Sequence, residues 1–233
     1  MNSSNVVFAT IMTYLSFTFV FFVVKARSSL TGMNHLIALL TFVFLSGLLQ
    51  FFANVGLSKQ HCGEVDLAVV TYATLFPWIF ILVGFTLVLN TLPGWLRVFS
   101  NTFGAFVLRQ SGLTDLVVRL YENYPNPGDN VKMAKEMLEQ IYTNKSALIL
   151  ELNIEDVTEK EGVFTFPALQ ELASLGIIQP LTGDRDKLIK PLYHKLLLKD
   201  EIGYFCWYTL VGTFFILVST NTLLSTTCSP KKR

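Results

Sequence analysis

Acidic and basic side chains are scarce in this chain, and four long stretches have none. Only 15% of the 233 residues are charged, against roughly a quarter in soluble domains. The charge-free stretches cover residues 6–24, 36–57, 67–92 and 203–224. Each reaches about the 20 apolar residues with which a helix crosses a hydrocarbon core. Because soluble core helices rarely run so far without a charge, the sequence predicts an integral membrane protein.

Sequence motifs of catalysis and transport are also missing. The chain has no Gly-x-Ser-x-Gly, phosphate-loop or His-Glu-x-x-His pattern, so it predicts neither an enzyme nor a cofactor. A lipid-modifying enzyme has no motif to support it. No acid, Lys or Arg lies inside an apolar stretch, although such residues are the usual mark of a proton or ion pathway. This argues against a pump, a carrier or a charge-lined channel.

Candidate metal ligands are few and scattered. Zinc ligands usually come in closely spaced pairs, and here only His61 and Cys62 are neighbours, with nothing nearby in sequence to complete a set. Asp184 and Asp186 follow a glycine, and a solvated turn is a simpler interpretation of this pair than a Mg²⁺ site. The sequence therefore predicts no metal.

Three cysteines leave the disulfide question open. Cysteine count alone fixes no pairing, so three free thiols are the preferred interpretation. The alternative is a disulfide between Cys62 and Cys228. A four-span chain whose soluble domain faces the cytosol has both residues on the non-cytoplasmic side of the membrane, where oxidising conditions favour a disulfide. Cys206 lies near the other side and should stay reduced.

The positions of basic residues predict an orientation. Lys25 and Arg27 follow the first stretch, and Arg97 follows the third. Positive charges beside spans mark the cytoplasmic side, so residues 109–200 should face the cytosol. The basic tail at 231–233 would then be non-cytoplasmic, which conflicts with the rule, but late charges orient a protein less strongly than early ones.

A rival topology adds a fifth span over residues 95–108. This stretch is short and carries Arg97, Ser100 and Asn101, so an interfacial or re-entrant segment fits better. We keep four spans. The Asn101 amide is expected to be buried and hydrogen-bonded, because an unpaired polar group there would cost about 1–3 kcal/mol.

The predicted fold is mainly α: a four-span helical bundle with a small, mostly helical α+β soluble domain inserted before the last span. Pro77 should kink the third span. The predicted divisions are a three-helix segment at 1–96, an interfacial segment with an amphipathic helix at 97–124, the soluble domain at 125–200, and the last span with its tail at 201–233. Inside the soluble domain we expect helices over 131–142, from Pro167 and over 188–198, and a strand over 148–154.

Charge in the soluble part points away from nucleic acid. Residues 109–200 hold 11 Lys and Arg against 14 Asp and Glu, a net charge of −3. A nucleic-acid footprint is basic, so this mixed charge indicates an ordinary soluble surface and predicts no nucleic-acid partner. The sequence allows a homo-oligomer but does not decide the oligomeric state.

Three short motifs resemble a family of multi-span virion membrane proteins of large nucleocytoplasmic DNA viruses, of the chlorella-virus and mimivirus kind. The motif residues are Pro77 and Trp78, then Pro93, Gly94 and Trp95, then Phe99, Ser100, Asn101, Thr102 and Gly104. The resemblance covers about residues 62–104. It implies a protein of the internal virion membrane, which derives from a host membrane, lies under an icosahedral shell and contacts other capsid proteins.

The expected function is therefore structural. A bundle without catalytic or transport residues suits a minor capsid protein that anchors the membrane to the shell, with the soluble domain as the contact to other capsid proteins. The alternative is a small oligomeric pore or channel. Pro77, Gly84 and the polar residues 100–102 could line a cavity, because irregular backbone at membrane depth is tolerated only where protein or water covers it.

Overall fold

Helices dominate the structure, which is a computed structural model. It describes residues 3–28, 30, 32–120, 150, 152–160, 162–174, 182–183 and 186–228. Among these residues, four helical stretches are long and apolar enough to cross a membrane, and one pair of short strands is present. The predicted mainly α fold with four candidate spans is confirmed.

The candidate spans differ in regularity. The first two are single helices, and the third is interrupted by a π-helical segment immediately after Pro77. In chain order these elements are α1 (Ser3–Ser28), α2 (Gly32–Cys62), α3 (Leu67–Pro77), the π-helical segment Trp78–Val83 and α4 (Gly84–Thr91). Proline has no N–H for the helical ladder, and the change in hydrogen-bond pattern begins at the next residue. Asp66 caps α3 by accepting hydrogen bonds from the backbone N–H groups of Ala68 and Val69.

The remaining described elements are shorter, except for the last. They are α5 (Gly94–Phe99), a second π-helical segment (Ser100–Gly104), α6 (Ala105–Gln110), α7 (Leu113–Leu120), a 3₁₀ turn (Ile154–Asp156), strands β1 (Thr158–Lys160) and β2 (Val163–Thr165), α8 (Pro167–Ser174), a 3₁₀ turn (Asp186–Leu188) and α9 (Ile189–Leu224). The predicted helix over 188–198 is therefore the beginning of one long helix that continues into the last candidate span.

The chain forms two compact units. The bundle unit comprises Met1–Arg97 and Tyr204–Arg233, and the second unit comprises Val98–Gly203. Aromatic rings pack the interior of the bundle unit around Phe42, which is fully buried. The rings within 6.2 Å of it, measured between centroids, belong to Tyr14, Phe17, Phe21, Phe22 and Tyr208. This cluster joins α1, α2 and α9.

The second unit has an apolar core of its own. Leu113, Val117 and Leu120 are buried on one face of α7, at the spacing that the sequence predicted for an amphipathic helix. They pack in one cluster with Leu169 of α8 and Leu192 of α9. The predicted helix over 131–142 lies outside the described residues.

The strand predicted over 148–154 is wrong for the part of it that the structure describes. Asn153 and Asp156 form a reciprocal capping box that starts a 3₁₀ turn at Ile154. The strands come later: β1 and β2 pair antiparallel, with Thr158 opposite Thr165 and Gly162 at a φ of 80° in the turn. Leu152 is instead buried in the core of the second unit, and the partly buried Leu150 packs against the same cluster.

Candidate functional site

Four polar side chains form a buried stripe along α2. Ser46, Gln50, Asn54 and Ser58 recur every fourth residue, which puts them on one helix face, and each is at most 2% exposed. Large apolar side chains are instead exposed on the outside of the bundle unit, including Phe44 and Phe52 of the same helix. This arrangement, polar inside and apolar outside, suits a bundle surrounded by lipid.

Asn54 is the centre of this stripe. Its Nδ2 donates hydrogen bonds to the hydroxyl of Thr74 in α3, at 2.9 Å, and to the hydroxyl of Ser219 in α9, at 2.8 Å. Its Oδ1 accepts a 3.0 Å hydrogen bond from Nε2 of Gln50. One amide therefore joins the consecutive helices α2 and α3 to α9, which is far away in sequence.

Gln50 lies at the first end of the network and has an acceptor oxygen that is not used by any described residue. Its side chain is fully buried, and among the described residues its Oε1 has no hydrogen-bond partner. The Thr74 hydroxyl in turn donates a hydrogen bond to the carbonyl of Val70 in the preceding turn. The network thus runs in one direction, from the Gln50 amide through Asn54 and Thr74 to the backbone of α3. Its side chains are all neutral, so it can hold helices together but offers no acid, base or strong nucleophile.

A second polar contact joins α1, α4 and α9. The Tyr14 hydroxyl donates to the backbone carbonyl of Tyr208 at 2.8 Å, and the Tyr208 hydroxyl lies 3.2 Å from the hydroxyl of Thr86. All three residues are buried. Gly212 allows the approach, because a Cβ at that position would overlap the Tyr14 ring and hydroxyl.

At one end of the bundle unit, Cys62 and Cys228 are joined by a disulfide. Their Cα atoms lie 5.4 Å apart, and the bond links the end of α2 to the residues that follow α9. The preferred sequence interpretation, three free thiols, therefore does not describe this pair, whereas Cys206 is free. A cavity of about 430 Å³ adjoins the disulfide, and its lining includes Ser58, Glu64 and Asp66.

The first two motifs of the resemblance lie in the bundle unit. Pro77 ends α3, and Trp78 donates its indole N–H to the carbonyl of Val43 at 2.9 Å. Gly47 makes room for the indole, since a Cβ there would come within 2.6 Å of Trp78 Nε1. Pro93 and Gly94 turn the chain into α5, where the half-exposed ring of Trp95 packs edge-on against Trp207 at 5.8 Å.

The third motif belongs to the second unit. Ser100 and Gly104 are buried, Phe99 is partly buried, and Thr102 is exposed and bonds its own helix at the carbonyl of Val98. A Cβ at Gly104 would lie 2.5 Å from the carbonyl oxygen of Lys199 in α9, which explains a glycine here.

The expectation for Asn101 is wrong: its Oδ1 is buried without a hydrogen-bond partner in the described part of the chain. Ser100–Gly104 is π-helical, and the side chain points where no donor reaches it. The structure thus divides the motif residues between two units, and those with clear packing roles include Trp78 in the first and Gly104 in the second.

The three histidines lie in separate surroundings. His35 packs against the ring of Tyr204 at 4.9 Å between centroids, and His194 lies 6.1 Å from Phe164. His61 lies beside the disulfide, so that its ring nitrogen and the sulfurs of Cys62 and Cys228 are within 4.8 Å of one another. From the sequence alone, His61 and Cys62 are an incomplete set of metal ligands, because Cys228 is distant in sequence.

The buried stripe of α2 was missed in the sequence analysis. Its amides and hydroxyls carry no charge, and charged residues inside spans are the usual mark of a functional site in a membrane. A polar residue at every fourth position of an apolar helix, from 46 to 58, is nevertheless a visible signal of a helix–helix interface in a membrane. Its partners Thr74 and Ser219 could not be identified without the fold.

Comparison of the chain with protein-family models, with curated proteins and with solved structures finds no match.

Proposed function

We propose that this chain is a structural, non-enzymatic membrane protein that anchors an internal virion membrane to a capsid shell. The observation that supports an anchor best is the use of polar groups inside the bundle unit. The Asn54 side-chain amide donates hydrogen bonds to Thr74 and Ser219, and these contacts favour one arrangement of three helices. Carriers and pumps need two arrangements of the same helices, whereas an anchor under load needs one.

A covalent bond strengthens the same connection. Asn54 joins α2 to α9 inside the apolar region, and the disulfide joins the end of α2 to the residues after α9. Cys62 is eight residues beyond Asn54, or about 12 Å along the helix. Two independent links between the same pair of elements favour a bundle that resists separation.

The second unit is the part available to protein partners. It has its own apolar core, begins after the third candidate span and includes the first part of α9. In the proposed orientation it faces the cytosol, where shells assemble on host-derived membranes. The virion setting rests on the resemblance of the three motifs that contain Trp78, Trp95 and Asn101, and other capsid proteins are the proposed partners.

Virions purified from the source of this sequence test the proposal. After outer proteins are stripped and the membrane is left intact, the chain should stay with the particles. A lysine-directed cross-linker should join the second unit, for example at exposed Lys190, to a shell protein. Absence of the chain from membrane-containing particles, or cross-links to non-structural proteins alone, would overturn it.

A small oligomeric pore is the second candidate, and the buried polar stripe of α2 supports it. Ser46, Gln50, Asn54 and Ser58 form a polar line toward the disulfide end, and Oε1 of Gln50 is unpartnered within the described residues. Purified protein in planar bilayers would then conduct, and Gln50→Leu would abolish conductance. An anchor predicts no conductance in either protein.

A further inference from the structure

A histidine lies beside the disulfide, and a purely structural cross-link does not require one. An imidazole, from His61, lies beside Cys62 and Cys228, and the three potential ligand atoms are all within 4.8 Å of one another. None of the three is buried: Cys62 is partly exposed, and His61 and Cys228 are exposed. Solvent, reductants and ions can therefore reach them.

We propose that His61, Cys62 and Cys228 form a binding site for a zinc-class divalent cation when the disulfide is reduced. One nitrogen and two sulfurs are typical ligands of zinc, which prefers four ligands in a tetrahedron. The two thiolates balance the charge of the cation, so the loaded site is neutral. The inference does not depend on the anchoring function.

Distances favour a cation at this position. Zinc bonds sulfur at about 2.3 Å and imidazole nitrogen at about 2.0–2.1 Å, so atoms of one coordination shell lie within roughly 4 Å of each other. In the disulfide form the ring nitrogen of His61 lies within 4.8 Å of both sulfurs, which is close to that value. Reduction breaks the bond between the two sulfurs, so that they can separate to the spacing of two zinc ligands. The adjoining cavity of about 430 Å³ leaves room for water as the fourth ligand.

The two states exclude each other chemically. A dithiol reductant gives up two electrons and two protons to the Cys62–Cys228 bond, which becomes two thiols, while the reductant becomes a disulfide. Binding of Zn²⁺ then releases both thiol protons, because thiolates are the ligands. In the reverse exchange a small-molecule disulfide accepts two electrons from the two thiolates and two protons from water and becomes two thiols, while the Cys62–Cys228 bond forms again and the cation is released. The same residues would thus cross-link the bundle in an oxidising compartment and hold a metal in a reducing one.

The test uses the full chain in detergent with Co²⁺ as a spectroscopic substitute for Zn²⁺. The reduced protein should bind one Co²⁺ with thiolate-to-metal charge-transfer absorption, and Zn²⁺ should displace it. The disulfide form should show no such band. Reduced His61→Ala should bind at least about tenfold more weakly, since even loss of an outer partner costs about 10–100-fold in affinity.

Cys206→Ser and His194→Ala serve as matched controls, because both residues lie outside the cluster, and both variants should bind like the parent. Alkylation followed by mass spectrometry gives a second readout that needs no variant: Zn²⁺ should protect Cys62 and Cys228 in the reduced parent protein but leave Cys206 unchanged. The proposal is overturned by an absent charge-transfer band, by equal binding in the disulfide form, by equal affinity in His61→Ala, or by the absence of protection.

Discussion

Asn54 donates a 2.8 Å hydrogen bond to Ser219, a residue 165 positions further along the chain. The same amide nitrogen reaches Thr74, and both hydroxyls lie on helices that the sequence alone does not bring together. In a membrane, apolar side chains gain little by leaving lipid for another helix, so polar contacts and close packing decide which helices associate. Asn54 is therefore central to the predictions that follow.

Replacing Asn54 with leucine should destabilise the bundle by about 1–2 kcal/mol. Interhelical hydrogen bonds in membranes average about 0.6 kcal/mol each, and the change removes two while leaving the Gln50 amide without its acceptor. Circular dichroism during SDS titration would measure the loss. Asn90→Leu is the control, because Asn90 is exposed on α4 and its replacement should have little effect. Equal stability of the two variants would contradict the role given to Asn54.

Gly212→Ala should cost about 1–3 kcal/mol by overpacking. The new methyl group would overlap the Tyr14 side chain and displace the hydroxyl that bonds the carbonyl of Tyr208. Gly56→Ala is the matched change, since a Cβ at position 56 meets nothing within 4 Å. That variant should be neutral or slightly more stable, because alanine is the better helix former. A thermal scan of both variants in one detergent tests the difference.

Reduction of the disulfide should lower the stability of the bundle by about 2–4 kcal/mol in metal-free buffer. The bond closes a loop across 166 positions, and long loops gain most from closure. Cys62→Ser should reproduce the loss without reductant, whereas Cys206→Ser should not. Non-reducing mass spectrometry of the parent protein shows whether the bond is present, and an alkylated Cys62 in unreduced material would contradict it.

Asn101→Leu should be neutral or stabilising in the isolated protein. An unpaired buried oxygen costs about 1–3 kcal/mol, and leucine removes it from a site where no donor reaches Oδ1. Thr102→Val, on the exposed side of the same segment, should change stability little. A clear loss in detergent for Asn101→Leu would mean that the amide has a partner. A loss confined to assembly would indicate that a second protein supplies it.

Protease added to sealed microsomes should digest the second unit and spare the disulfide end. This follows from the proposed orientation, in which the basic residues Lys25, Arg27 and Arg97 lie at the cytosolic ends of the candidate spans. Protection of the second unit with cleavage of the 231–233 tail would favour five spans. A membrane-impermeant alkylating reagent, applied after reduction, should accordingly label Cys62 only when the vesicles are opened.

For much of the candidate site, the sequence shows the polar residues of one helix but not their partners on the other helices. The even spacing of Ser46, Gln50, Asn54 and Ser58 is present in the sequence, but a stripe does not say which helix covers it. A kink was predicted at Pro77, and the structure shows a π-helical segment immediately after it. That form was not predicted, because the backbone pattern depends on what packs against it. The strand predicted over 148–154 does not form in its described part, because Leu150 and Leu152 pack in the core of the second unit and tertiary packing overrides the local preference.

The sequence by itself determined where the chain can enter a membrane, because a long apolar stretch without charge needs no partner to prefer lipid. It also determined the mainly helical character, since a backbone in hydrocarbon must satisfy its own hydrogen bonds. Only the tertiary structure decided that Asn54 meets Thr74 and Ser219, and that Cys62 meets Cys228. Those contacts join residues of different elements that are 20, 165 and 166 positions apart, and short-range patterns carry no information about which surfaces of separate elements will pack together.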